Sequence, residues 1–244
     1  MILASKSPRR KEILEDTGFK IQIISAQVEE TSSKDSITDK IMDIARKKTM
    51  AVAKMHPDEF VVGADTIVEV DGKIIGKPKN EDDAFNTLKI LSGREHNVIT
   101  AYSLINLSKK IDITDYDITK VSFRELSDNM IKWSISTNEP MDKAGSYGIQ
   151  GKGAVFVNGI NGDFFSVMGF PIGKFVEKIS QLGIELKEIE KIYSVMFDEG
   201  IHLNKMIKDL NSYRRYEANF FEVEKKEIKI KEFIEGLLNK YRLD

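Results

Sequence analysis

The chain has 244 residues, and its 37 Lys+Arg against 39 Asp+Glu give a formal net charge of −2, so no overall basic field draws it to nucleic acid. It contains no cysteine, which excludes disulfides, thiol nucleophiles and zinc–thiolate sites. No apolar run approaches the roughly 18 residues of a membrane span, and the N-terminus lacks the long apolar core of a signal peptide, so we expect a cytoplasmic protein that binds neither membrane nor nucleic acid.

The first predicted elements are a short strand and a helix. The apolar run Ile2 to Ala4 ends in Ser5, and a helix is predicted to begin at Ser7-Pro8, because serine is a good N-cap and proline suits the first helical turn. Arg9 and Arg10 then lie in that turn, where the helix dipole disfavours cations. Two arginines there do little for stability, so they indicate a site that binds an anionic group such as phosphate.

Strand-like and helix-like segments alternate along the chain as far as residue 186. We predict helices over residues 36–55, 80–93 and 127–136, and another that begins at Pro171. We predict strands over residues 21–24, 60–70, 73–76, 98–107 and 117–123, with a hairpin turn at Asp71-Gly72 and a second hairpin over residues 154–168 around Asn161-Gly162. This mixture predicts an α/β fold with a partly antiparallel sheet.

The composition changes beyond about residue 186. All five prolines precede this point, and apolar residues then recur at helical spacing among dense charges of both signs. We therefore predict a main domain over residues 1–188 and an amphipathic helical extension over residues 189–244. The extension either packs on the main domain or on a second subunit, or it binds a dedicated partner.

Two charged residues interrupt apolar patterns in the predicted elements. Lys48 falls in the middle of the apolar stripe of the helix over residues 36–55, so its stem either snorkels to the surface or delivers an ammonium into a cleft. Asp65 lies inside an apolar strand, where a carboxylate is costly unless it is paired, hydrogen-bonded or bound to metal. Asp65 either caps a neighbouring loop, or ligates a divalent cation or takes a proton from water.

Weaker signals come from turns and loops. Glu30 follows the apolar strand over residues 21–24, and Lys77 lies in the turn Gly76-Lys77-Pro78; each is also compatible with a solvated loop. Four glycines punctuate residues 142–153 and permit close approach of the backbone to a ligand, although a loop without a ligand also uses glycines. Their spacing fits neither a Walker A loop nor a dinucleotide fingerprint.

These signals share one chemistry. Four cations suit a polyphosphate, namely Arg9, Arg10, Lys48 and Lys77. The carboxylates of Asp65 and Glu30 suit Mg²⁺ and a water nucleophile. The combination predicts metal-assisted hydrolysis of a phosphoanhydride.

Five motifs in this order closely resemble the Maf family of nucleoside triphosphate pyrophosphatases: Leu-Ala-Ser-Lys-Ser-Pro-Arg-Arg, Gly-Ala-Asp-Thr, Gly-Lys-Pro, Leu-Ser-Gly and Asp-Lys-Ala-Gly-Ser-Tyr-Gly-Ile-Gln-Gly. The match covers about residues 1–186. The resemblance implies an α/β, two-lobed Maf/ITPase-like fold with a mixed twisted sheet flanked by helices, and a homodimer. It also implies cleavage of a nucleoside triphosphate to the monophosphate and pyrophosphate with a divalent metal, Mg²⁺ or Mn²⁺.

The resemblance also assigns roles to individual residues. Asp65 matches the family's catalytic proton acceptor, and with Glu30 we expect it to hold the metal. The polar positions that line the family's cleft are matched by Ser5, Arg10, Glu30, Lys48 and Lys77. Three further residues match positions that separate the subfamilies, namely Arg9, Thr66 and Gln150, and they resemble the branch that acts on dTTP and UTP.

Two alternatives stay open at this point. The family's historical link to septum formation allows a nucleotide-binding regulator of cell division whose C-terminal extension recruits a partner. The same chemistry could also act on 7-methyl-GTP or on modified purine nucleotides. The resemblance covers no part of the extension.

Overall fold

The computed structural model describes residues 1–183. Its strands are β1 (Ile2–Leu3), β2 (Gln22–Ile23), β3 (Val61–Val70), β4 (Lys73–Ile75), β5 (Glu95–Asn106), β6 (Ile111–Phe123) and β7 (Val157–Asn161). Its α-helices are α1 (Pro8–Asp16), α2 (Ile37–Ala53), α3 (Glu81–Leu91), α4 (Asp128–Ser136), α5 (Phe164–Met168) and α6 (Ile172–Gln181). Short 3₁₀ turns cover Glu139–Asp142, Ala144–Ser146 and Lys152–Phe156. Within this range, no helix combines the length and the apolar character that crossing a membrane requires.

The strands form one mixed sheet in the order β2-β1-β3-β5-β6-β7, with β4 paired to β3. The short strand β1 runs parallel to both of its neighbours, whereas β3, β5 and β6 pair antiparallel. Helices pack against the sheet through buried apolar side chains, among them Ile41, Leu88, Ile131 and Phe175. The predicted α/β class with a mixed sheet is therefore confirmed. The predicted boundary at residue 188 and the helical extension over residues 189–244 lie outside the described residues.

Local capping sets several helix ends close to where the sequence predicts them. The Asn80 side chain accepts a hydrogen bond from Asp83 N at 2.8 Å, and the Ser36 hydroxyl accepts one from Asp39 N at 3.0 Å. Ser7 occupies the N-cap position of α1, but its side chain makes no capping hydrogen bond. Its backbone N–H donates instead to Ser5 Oγ at 3.2 Å, which draws the first turn toward the end of β1.

Two predictions about strands need correction. Strand β6 begins at Ile111 rather than near Asp117, because residues 111–116 pair with residues 101–106 of β5. The predicted hairpin over residues 154–168 is wrong, since only Val157–Asn161 is a strand, paired with β6. The chain then enters α5, where Asp163 Oδ1 accepts a hydrogen bond from Phe165 N at 2.9 Å. A capping aspartate therefore outweighs the strand tendency of two phenylalanines.

One glycine lets helix α2 lie directly on strand β3. A Cβ at Gly63 would overlap the Thr49 hydroxyl and would lie 3.5 Å from the Ala4 side chain. Thr49 is fully buried, and its hydroxyl donates to Ala45 O at 2.8 Å within α2. This close packing places Lys48, the preceding residue of α2, beside the middle of β3.

Candidate functional site

A cavity of about 960 Å³ opens between the N-terminal end of α1, helix α2, strand β3 and the glycine-rich segment at residues 144–153. All nine residues that the sequence singles out line this cavity. Four of them are the cations Arg9, Arg10, Lys48 and Lys77. The others are Ser5, Glu30, Asp65, Thr66 and Gln150.

Lys48 lies at the centre of an ion-pair cluster on one side of the cavity. Its Nζ donates to Asp65 Oδ1 at 2.7 Å and lies 2.9 Å from Glu30 Oε1. The Lys48 and Asp65 side chains are only 15% and 16% exposed, whereas Glu30 is 64% exposed. The ammonium therefore points into the cavity rather than to the outer surface of α2, and Asp65 contacts this ammonium rather than capping a loop.

Arg10 connects three separate parts of the fold around the cavity. Its Nε donates to Gly169 O at 2.9 Å, its Nη1 to Ser5 Oγ at 3.1 Å and its Nη2 to Thr66 Oγ1 at 3.0 Å. All three acceptors are neutral oxygens, so these bonds orient the guanidinium without neutralising its charge. Burial lowers the pKa of Arg10, and the nearby Asp65 offsets only part of this effect. The guanidinium nevertheless stays protonated throughout the physiological range.

Arg9 and Lys77 are less firmly held than Arg10. Arg9 Nη1 lies 3.6 Å from Asp142 Oδ2, and the Asp142 side chain is 62% exposed. Lys77 is exposed and forms no ion pair within residues 1–183. The turn before it is anchored, however, because Gly145 N donates to Gly76 O at 3.1 Å. Lys77 therefore lines the cavity without an ion pair in this part of the chain, whereas Arg9 lines it in a loose pair with Asp142.

The glycine-rich segment forms the opposite side of the cavity. Gly145 has φ +70° and lies against β3, where an added Cβ would come within 2.7 Å of Val68 Cγ2. Further along, Gly151 N donates to Gly148 O at 3.2 Å and closes a turn that has Gln150 at its corner. The Gln150 amide is exposed, and its Nε2 donates to Glu12 Oε2 on α1 at 3.4 Å.

Tyr147 of this segment forms a buried pair with His96 of β5, which the sequence did not single out. The Tyr147 hydroxyl is hydrogen-bonded to His96 Nε2 at 2.8 Å, and both rings pack edge-on against Phe123. His96 is 3% exposed, and burial lowers its pKa to about 4, so it is neutral at physiological pH. Burial likewise raises the pKa of Tyr147. The pair is therefore a neutral support for the segment.

Two more charged residues line the cavity beside Arg9. Lys143 Nζ donates to Asp142 Oδ1 at 2.7 Å and to Glu139 O at 2.8 Å. Both Asp142 and Lys143 fall inside the motif that carries the family resemblance, so that motif was the available signal for them.

Two carboxylates could hold a divalent cation. Within residues 1–183 there is no cluster of three or more histidine, aspartate and glutamate side chains suited to a metal. Glu30 and Asp65 nevertheless contact the same ammonium, which brings both toward one point of the cavity. One or two carboxylates completed by waters and phosphate oxygens is the usual way in which proteins bind Mg²⁺ with a nucleotide, so these residues fit such an ion.

Comparisons with known proteins agree with the resemblance. The family model described as Maf-like protein matches residues 1–182. A relative from Fusobacterium nucleatum subsp. nucleatum, named dTTP/UTP pyrophosphatase, is 52% identical over 192 residues, which cover 79% of this chain and all of the relative. A Bacillus cereus relative of the same name is 46% identical over 187 residues, which cover 76% of this chain and 97% of the relative.

Among solved structures, a nucleoside-triphosphatase/dITP/XTP pyrophosphatase from Mycobacterium abscessus aligns over 77% of this chain and 98% of its own. It is 14% identical, with a TM-score of 0.36.

Proposed function

Because this chain belongs to the Maf-like protein family, we propose that it hydrolyses dTTP and UTP to the corresponding monophosphate and pyrophosphate. Relatives that bear this activity in their names are 52% and 46% identical to it, and their alignments with it extend over 100% and 97% of their own length. The observation that carries the proposal is the Lys48 ion-pair cluster, which lies in the same cavity as two arginines.

The cations would bind and orient the triphosphate. Arg10 is fixed in direction by three neutral acceptors and retains a full positive charge beside the cavity. Arg9 and Lys77 line the same cavity and would contact the phosphates there. Positive groups of this kind stabilise the charge that develops on a departing pyrophosphate.

Asp65 would act as the general base. The oxygen of a water forms a bond to the α-phosphorus, while the bond from that phosphorus to the oxygen bridging to the β-phosphate breaks. The pyrophosphate leaves with the electron pair of that bond, and the proton of the water passes to the Asp65 carboxylate. Lys48 holds Oδ1 of this carboxylate at 2.7 Å, so the other oxygen is the one available to the water.

A divalent cation would be held by Glu30 and Asp65, together with phosphate oxygens. When bound, Mg²⁺ or Mn²⁺ neutralises phosphate charge and lowers the pKa of a coordinated water. Thr66 and Gln150 would read the base, or its surroundings, by hydrogen bonds. We further propose that the protein works in the cytoplasm as a homodimer, without nucleic acid or membrane as partner, as the near-zero net charge of −2 and the family resemblance support.

A nucleotide panel tests the proposal. The purified full chain is incubated with dTTP, UTP, CTP, GTP, ATP and 7-methyl-GTP in the presence of Mg²⁺ or Mn²⁺, and pyrophosphate release is measured, with EDTA as the control. We expect release from dTTP and UTP, and none in EDTA. Tight nucleotide binding without pyrophosphate release would indicate a nucleotide-binding regulator rather than an enzyme. A preference for 7-methyl-GTP or other purines would overturn the substrate assignment but not the reaction.

A further inference from the structure

The loop that presents Gln150 is closed by its own backbone. We define the Gln150 loop as residues 148–153. Besides the bond from Gly151 N to Gly148 O, the two ends of the loop touch, because a Cβ at Gly153 would lie 2.8 Å from both N and O of Gly148. The position of Gln150 is therefore set by whatever holds the two ends of this loop.

The carboxylate of Glu139 holds one of these ends. Its Oε2 accepts a hydrogen bond from Lys152 N at 2.9 Å, and its Oε1 accepts one from Gly153 N at 3.3 Å. Two backbone amides converging on one carboxylate form a strong, charge-assisted contact. A carboxylate can accept both bonds at once, whereas the amide of a glutamine would turn its NH₂ group toward one of the two donors.

The loop is shaped to receive this carboxylate. A Cβ at Gly151 would lie 2.7 Å from Glu139 Cδ, and one at Gly148 would lie 3.1 Å from Glu139 Oε1. Gly151 therefore leaves room for the Glu139 carboxylate, and Gly148 leaves room for both Glu139 and Lys143, whose Cε would lie 2.8 Å from a Cβ there.

Glu139 also contacts the phosphate side of the cavity. Its backbone carbonyl accepts the bond from Lys143 Nζ at 2.8 Å, and the same ammonium binds Asp142, which pairs with Arg9. One short turn, Glu139–Asp142, therefore supports both a predicted base-reading residue and a predicted phosphate-binding residue.

We infer that Glu139 is a positioning residue that sets the choice of nucleobase by fixing the Gln150 loop. The inference rests on the proposed function, since it takes Gln150 as a residue that reads the base. Glu139 does not line the cavity itself, so it acts through the loop that it holds.

The test compares UTP with CTP, which differ only at the base. We expect Glu139→Gln to lower the preference for UTP, taken as the ratio of kcat/KM values, by about tenfold through a higher KM for UTP, because a charge-assisted hydrogen bond to a loop amide is lost. The change in kcat should stay within about threefold, since Asp65 and Lys48 are untouched. Glu125→Gln, at an exposed glutamate outside the cavity, is the matched control and should leave the ratio unchanged.

A double-mutant cycle separates positioning from general stability. In a Gln150→Ala background the base-reading amide is gone, so Glu139→Gln should change the UTP/CTP ratio by less than about twofold. Hydrogen exchange should show faster exchange at the amides of Lys152 and Gly153 in Glu139→Gln. An unchanged ratio in Glu139→Gln would overturn the inference. An equally large effect in both backgrounds would also overturn it, because Glu139 would then act by another route.

The inference and the proposed function can fail separately. If the wild-type chain releases no pyrophosphate, the proposed reaction fails, and the binding constants for UTP and CTP measured on the same four variants replace the kinetic ratio. If the wild-type chain turns over UTP well but Glu139→Gln leaves the UTP/CTP ratio unchanged, only the inference fails.

Discussion

The two sides of the cavity are built on different principles. The side that we call the cation–carboxylate wall consists of Ser5, Arg10, Lys48 and Asp65, which project from the ends or middles of regular elements. The side that we call the glycine-rich wall is the single segment over residues 144–153, of which Ala144 and residues 147–150 line the cavity. In the first wall side chains bind one another across long stretches of chain. In the second, backbone amides and missing side chains define the shape.

This difference separates two kinds of substitution. Removing a functional group from the cation–carboxylate wall should affect the chemical step, because those groups touch the reacting atoms in the proposed mechanism. Adding or removing atoms in the glycine-rich wall should affect binding and base selection, because that wall positions rather than reacts. The following predictions are ordered from the largest expected effect to the smallest.

Asp65→Asn should have the largest effect. The amide keeps an oxygen for Lys48 but cannot accept a proton from water, so we expect kcat to fall at least about 100-fold while the KM for dTTP changes little. Steady-state kinetics measures this, with Asp112→Asn, in an ion pair with Arg46 outside the cavity, as the control. Undiminished turnover in Asp65→Asn would remove Asp65 from the mechanism and break the contrast between the two walls.

His96→Gln tests the support behind the glycine-rich wall through its pH dependence. The folded pKa of His96 is about 4, below the unfolded value of 6.5, so the unfolded chain binds more protons between these pH values. Stability should therefore fall as the pH drops from 6.5 to 4, by about 3 kcal/mol for this group, and level off below 4.

The measurement is the free energy of unfolding of both chains across this range. The pKa of Asp163 is raised by burial and acts in the opposite direction, but it is common to both chains and cancels in their difference. We expect the stability advantage of the wild-type chain over His96→Gln to shrink with acidification. His56→Gln, outside the cavity, is the control and should keep the acid sensitivity of the wild type. A pH-independent difference would contradict a buried, neutral His96.

Gly151→Ala probes the same wall from inside the loop. The new methyl group would displace the Glu139 carboxylate from the loop amides, so we expect the KM for dTTP to rise about tenfold with kcat within about threefold. In a Glu139→Ala background the methyl group meets no carboxylate, and Gly151→Ala should add little. A fall in kcat with an unchanged KM would show that this wall takes part in the chemistry.

Ser146→Ala should have the smallest effect. Ser146 is completely buried, and its hydroxyl has no hydrogen-bond partner within residues 1–183. Removing an unpaired polar group should leave the free energy of unfolding unchanged or raise it by up to about 1 kcal/mol. The KM for dTTP should not change. A clear loss of stability, seen by thermal unfolding, would mean that this hydroxyl is bonded within the folded protein.

The sequence predicts best those turns and helix ends that depend on contacts between residues close together in the chain. The hairpin turn at Asp71-Gly72 is such a case: both residues adopt positive φ, at 53° and 75°, and Val70 pairs with Lys73 across them. The caps at Ser36 and Asn80 are similar, because a side-chain oxygen and an amide three residues away are sufficient.

Polar residues inside apolar patterns were informative for a related reason. Burial of a charge needs a partner, so Lys48 and Asp65 could be singled out from patterning alone. Thr66 and Gln150 have no such signal, and only the family resemblance pointed to them. The pairing partners were beyond local reasoning, since Arg10 binds a carbonyl 159 residues away and His96 binds a tyrosine 51 residues away.

The errors in the predicted strands arise where contacts between distant parts of the chain decide the conformation. Residues 111–116 include two aspartates, a residue type that is depleted in strands, yet pairing with the long strand β5 decides their conformation. Tertiary pairing in this place outweighs the local preference.

The missing side chain at Gly63 has a consequence for turnover. Helix α2 rests on β3 where no methyl group fits, and Lys48 is the residue next to the contact. A single carbon at position 63 would wedge the helix outward and lengthen the gap between the ammonium and its aspartate. The size of the side chain at position 63 can therefore change the reaction rate, although Gly63 does not line the cavity.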